Sequence, residues 1–217
     1  VLFRILHDER RSELSYLLAD VEAREAVVVD PHGPDLPVLQ ALLAERGLRL
    51  RWVLRTHHHD GLQPLEFSSL CQLDASVVQG EPRPGAHTGV HGELLPFGNE
   101  FLQVLATPGH TPGCLSYVWR DRVFCGGLLS VDACPNQPLP AVPEALWDSV
   151  MQRIFTLPDE TLLFAGHERH ARAVSTVHEQ RRWHPFFAAT SRDTYLARVT
   201  ALQDSASSAP TPRAFNA

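Results

Sequence analysis

The chain has no lysine; all 19 of its basic residues are arginine. That excludes Schiff-base catalysis and the lysine of a phosphate-binding loop. It also lacks an excess of positive charge. Its 25 acidic residues set the formal net charge at −6, so neither nucleic acid nor an anionic membrane would be attracted. No apolar run approaches the roughly 18 residues needed to span a bilayer. The first residues carry neither the basic nor the apolar region of a signal peptide, and the chain begins at Val1 rather than Met, as a trimmed or processed chain does. The four cysteines, at 71, 114, 125 and 134, include no pair at CxxC spacing. A chain of 217 residues, 44% hydrophobic, needs no disulfide staples. The cysteines therefore read as reduced thiols in the cytoplasm or another reducing compartment.

What is present suits one globular domain over residues 1–203, with a disordered tail from 204 to 217 rich in Ser, Ala and Pro. Apolar runs predict strands at residues 2–6, 14–19 and 26–30. Apolar residues at 36, 39, 42 and 43 predict a helix over 36–46, stopped by Gly47. A strand at 50–54, a weaker helix at 62–73 and a short strand at 76–78 follow, then a loop over 80–92. Two hairpins are expected, 94–96 with 101–106 and 115–119 with 123–125. Beyond a Pro- and Gly-rich loop lie a helix at 144–155, a strand at 161–164 and a helix at 171–182. Trp147 and Phe155 fall at helical spacing and read as core. Strands broken by helices, with hairpins in the middle, suit two packed sheets with helices outside.

The residues that carry chemistry begin at the end of the 50–54 strand, in Thr56-His57-His58-His59-Asp60. Side chains alternate along an extended segment, so His57 and His59 point the same way and His58 away. Two converging imidazoles start a metal site. His110, in Thr107-Pro108-Gly109-His110-Thr111-Pro112-Gly113, and His167, in Gly166-His167-Glu168, lie in loops at strand ends, where rigid scaffolds hold functional groups. His57, His59 and His110 are the expected metal ligands. Asp60 is the candidate catalytic base. His167 is expected as a pocket residue hydrogen-bonded to the cluster. His87, His91, His170, His178 and His184 are read as carrying no metal, with His178 and His184 on a solvated face. Cys114 reads as a small core residue, Cys125 as a thiol near the pocket and Cys134 as an exposed loop thiol.

Thr56-His57-x-His59, the loop from Thr107 to Cys114, and Gly166-His167-Glu168 resemble motifs of the metallo-β-lactamase superfamily, within it the persulfide dioxygenase and glyoxalase II branch. Residues 155–158 and 174–177 resemble that branch too, and the likeness runs from about residue 2 to 187. It implies an α/β fold, the four-layer αββα sandwich, and one divalent ion, Fe(II) or Zn(II). It also implies a glutathione-like thiol compound as ligand, and a homodimer. The chain departs from the pattern at specific positions. Gly61 and Leu62 stand where the motif has Asp and His, and Gly127 stands where the branch has its aspartate. The arginine linked to glutathione binding is missing from residues 133–137.

These departures leave His167 alone for a second ion, so at most one metal is expected. Fe(II) chemistry of this branch wants two histidines and a carboxylate, and the carboxylate is missing. Three imidazoles with an open fourth position suit zinc and bring a bound water toward a pKa of about 7. Three readings stay open: a persulfide-dioxygenase-like enzyme, a mononuclear zinc thioester hydrolase, and an inactive binding or sensor protein whose histidines are a relic without metal.

Overall fold

A computed structural model describes residues 1–9, 12–58, 73–130, 134, 137–169 and 172–208. The first half of the chain builds strands β1 (Leu2–Asp8), β2 (Glu13–Asp20), β3 (Glu25–Val29), β4 (Arg49–Leu54), β5 (Ser76–Gln79) and β6 (Ala86–Thr88), paired in that order. From β3 onward the pairing is parallel. The second half builds β7 (Leu94–Phe97), β8 (Glu100–Ala106), β9 (Leu115–Trp119), β10 (Arg122–Gly126), β11 (Leu162–Arg169) and β12 (Arg172–Thr176), also paired in sequence order. One pairing, His167 with Glu13, joins β11 to β2 and curls the two sheets into one.

Alternation along the strands explains the layers. In β2, Leu14, Tyr16 and Leu18 face the second sheet, while Leu17 and Ala19 face outward. The inner cluster adds Val27, Val29, Leu54, Phe97, Tyr117, Phe124 and Phe164. Among its aromatic rings Phe3 meets Phe164 edge-on at 5.2 Å, Tyr16 meets Phe124 tilted at 5.0 Å, and Phe3 stacks on Tyr16 at 6.2 Å. Helix α1 (Leu36–Arg46) covers the outer face of the first sheet through Leu39, and Gly47 ends it in the left-handed conformation, as expected. Helices α2 (Pro143–Ser149, continued by a π-turn to Ile154), α3 (Val177–Trp183) and α4 (Arg192–Ser208) cover the second sheet. This is the four-layer αββα sandwich. Trp147 and Phe155 pack in its outer cluster. No helix among the described residues is long and apolar enough to cross a membrane.

Three expectations need correction. The helix predicted over 171–182 begins only at Val177. Residues 172–176, with Val174 and Thr176, pair as β12 with β11. Thr176 then caps α3 by accepting from Glu179 N at 3.1 Å. The loop predicted over 80–92 contains β6. Helix α4 was not predicted, because its buried contacts reduce mainly to Tyr195 and Val199, one helical turn apart, on an otherwise polar segment. It runs to Ser208, so a tail drawn from 204 starts inside a helix, and the rest of that tail lies outside the described residues. The helix expected from 62 falls there as well, up to residue 72.

Candidate metal centre

The centre starts where β3 and β4 end side by side. Asp30 holds φ 47° and donates its N–H to Leu54 O at 2.8 Å. Its carboxylate accepts from Thr56 N at 2.7 Å and from the Thr56 hydroxyl at 2.5 Å. Loss of bulk water pushes the Asp30 carboxyl above the usual range, and the two Thr56 bonds pull it part of the way back. Thr56 Oγ1 also lies 2.8 Å from His57 Nδ1. A hydroxyl has one proton, and here it goes to the carboxylate, so Oγ1 accepts from His57 Nδ1–H. That tautomer leaves the Nε2 lone pair to face a metal.

His110 is held by a loop folded on itself. Thr107 N donates to Cys114 O at 2.9 Å, Gly109 N to Thr111 O at 3.0 Å, and Thr111 N to Cys114 Sγ at 3.1 Å. The carbonyl of His110 accepts from Ala141 N at 3.1 Å and from the Gln137 side chain. Ser149 Oγ ties the same loop to α2 through Pro108 O at 2.7 Å. His110 is 1% exposed, and its ring centroid lies 5.2 Å from that of His57, edge to face. His167, on β11 where the two sheets join, is 4% exposed with its ring 5.7 Å from His57. Three of the four singled-out histidines are thus brought together, two of them buried. His59 and Asp60 lie outside the described residues, as do Gly61 and Leu62. His58 sits by Arg55, its Nδ1 3.3 Å from the guanidinium.

Cys134 corrects an expectation. It is 1% exposed, and its Sγ, a His57 ring nitrogen and a His167 ring nitrogen all lie within 4.8 Å of one another. Among the described residues this is the one group of three or more His, Cys, Asp or Glu ligand atoms so close. Nothing in the local sequence around Cys134 signals burial, so the reading missed it. Asp30 was missed too, because Asp30-Pro31 reads as turn punctuation.

The glycines of the β10 exit shape the floor. A Cβ on Gly127 would lie 2.5 Å from His110 Cδ2 and 2.7 Å from its Nε2, and one on Gly126 2.1 Å from Thr56 Oγ1. The imidazole of His110 and the Thr56 hydroxyl therefore occupy the space that side chains there would take. No carboxylate of the described residues joins the tight group, so the two-histidine, one-carboxylate set for iron is not met by them, whereas imidazole and thiol donors suit zinc.

The other two described thiols, Cys114 and Cys125, are structural. Cys125 donates to Phe164 O at 3.3 Å, and burial pushes it up to about 12; burial pushes Cys114 up to about 11. At neutral pH neither is expected to react with a thiol reagent until the protein unfolds. Mass-spectrometric mapping of labelled sites checks this, and labelling of either in the native state would contradict it. His184 corrects the solvated-face reading. It is buried, its Nε2 lies 2.8 Å from Leu129 O, and its Nδ1 accepts from Phe186 N at 3.1 Å. A cavity of about 380 Å³ between β11, β12 and α3 reaches His167 from behind, lined also by Cys125, Arg172, Trp183 and His184.

No family model matches the chain. It is 34% identical over 197 residues to the human mitochondrial persulfide dioxygenase ETHE1, covering 85% of this chain and 75% of that protein. It is 35% identical over 167 residues to a hydroxyacylglutathione hydrolase of Synechococcus, covering 70% of this chain and 63% of that one. The crystal structure of ETHE1 from Myxococcus xanthus superposes with a TM-score of 0.83 at 33% identity, over 98% of this chain and 94% of that one.

Proposed function

The chain belongs to the persulfide dioxygenase and glyoxalase II branch of the metallo-β-lactamase superfamily, and from that membership we propose a divergent, persulfide-dioxygenase-like protein whose metal site is eroded to at most one ion. It acts on or binds a glutathione-like thiol compound. The observation that carries this reading is the convergence of His57, His110 and His167 beside Gly127. His57, His59 and His110 would hold the ion, with His167 behind them and Asp60 as a candidate base. A metal bound there supplies Lewis acidity or, as iron, chemistry with dioxygen. The chain's own part is orientation: Asp30 and Thr56 aim His57, and the 107–114 loop holds His110.

A second reading is favoured by Gly127. Without a carboxylate the donor set suits zinc, and the activity would then be thioester hydrolysis, in line with the hydrolase relative. Cys114 and Cys125 are buried free thiols, which supports a reducing compartment, the cytoplasm in the first instance. A homodimer belongs to the reading through the resemblance to the branch.

Metal content of untagged protein tests the reading, together with oxygen uptake on glutathione persulfide and thiol release from S-lactoylglutathione. About one ion per chain, lost on His57→Ala and on His110→Ala, is the expected result, with iron and oxygen uptake or zinc and thiol release choosing the activity. Metal without turnover would leave a binding protein. No metal after incubation with Fe(II) or Zn(II) would refute the centre.

A further inference from the structure

A buried divalent cation held by neutral imidazoles alone keeps its full double charge in a medium that solvates it poorly. The resemblance to the branch implies a carboxylate at this point; the position is Gly127, and His110 fills the space beside it. Asp30 cannot substitute, because its carboxylate is turned to Thr56 and stands two hydrogen bonds behind His57, with the Thr56 hydroxyl between them. Cys134 lies where an anionic ligand is wanted. Its sulfur and the nitrogens of His57 and His167 are within 4.8 Å of one another, and Cys134 and His167 are both buried. Around tetrahedral zinc, with bonds of about 2.0–2.3 Å, ligand atoms sit roughly 3.3–3.7 Å apart. The three side chains therefore need to draw in by about 1 Å, which rotamer adjustment supplies.

We propose that Cys134 is a metal ligand whose thiolate takes over the charge-neutralising part of the missing carboxylate, with His57 and His167 completing a sulfur- and nitrogen-bearing site for a thiophilic divalent cation, zinc first. Binding forms the metal–sulfur bond and releases the thiol proton to water. The assignment rests on the mononuclear centre proposed above and changes its donor set: His167 becomes a ligand, and the soft sulfur moves selectivity away from Fe(II).

The test uses the full chain loaded with Co(II), which reports sulfur ligation through a thiolate-to-cobalt charge-transfer band in the near ultraviolet. The wild type is expected to bind about one Co(II) per chain and to show the band. Cys134→Ser is expected to lose the band and to weaken zinc binding on the order of 100-fold. Cys134→Asp is expected to retain the metal without the band, because a carboxylate again supplies the charge. Far-ultraviolet circular dichroism confirms that each variant is folded, and the wild-type band needs no variant. One Co(II) per wild-type chain without the band overturns the inference and leaves the mononuclear centre standing. No Co(II) or Zn(II) uptake by the wild type overturns both.

Discussion

Asp30→Asn is expected to weaken zinc binding by about 10- to 100-fold while the fold survives. The carboxylate accepts from Thr56 N and from the Thr56 hydroxyl, so the hydroxyl's own oxygen is left to accept from His57 Nδ1–H. An asparagine keeps one acceptor for the backbone N–H but points an NH₂ at the hydroxyl. The hydroxyl then donates to His57 Nδ1, the ring proton moves to Nε2, and the nitrogen that would face the metal no longer has a free lone pair. Thr56→Val should have the same consequence by deleting the relay, and Thr56→Ser should not. The ring-nitrogen shifts of His57 in the metal-free protein report the tautomer without reference to affinity. An unchanged tautomer and unchanged zinc affinity in both Asp30→Asn and Thr56→Val would show that the relay does not aim this histidine.

Gly109→Ala is expected to be strongly destabilising. Gly109 sits at φ 139°, in a region that residues with a side chain rarely enter. A Cβ there would lie 2.2 Å from both the Cα and the N of Leu146, backbone atoms of α2 that no rotamer change can move. Backbone strain and overpacking together cost about 3 kcal/mol or more. That corresponds to a fall in Tm of roughly 6–12 °C for a domain of this size. Because Gly109 O also accepts from Val142 N at 3.0 Å, relief of the clash would pull the His110 loop off α2, and metal binding should fall with stability. Thermal unfolding of the variant decides it; a Tm within about 2 °C of the wild type would mean that the loop and helix are not packed as described.

Much of this centre was legible without the fold. Three histidines stand at strand ends in segments whose glycines and prolines mark tight loops, and strand exits are where a sheet presents side chains to a shared pocket. His57, His110 and His167 were found that way, and the structure brings their rings together. The parity expectation that aligns His57 with His59 involves a residue outside the described ones, and His58 lies beside Arg55. Where the reading went astray, the deciding contact came from far along the chain. Residues 172–176 carry no strong signal for strand over helix, and pairing with β11 decides the matter.

The local pattern by itself determined the element types, since alternation and 3.6-residue spacing express which face each segment must bury. It also determined which imidazoles could converge, and that position 127 offers no ligand. Only the tertiary structure decided that Asp30 orients His57 across the β3–β4 pair and that the Cys134 thiol is buried beside His57 and His167. The physical reason is one of range. Periodicity is a property of neighbours along the chain, whereas a carboxylate that sets a tautomer, or a thiol that meets two imidazoles, acts across segments that become neighbours only when the two sheets close on each other.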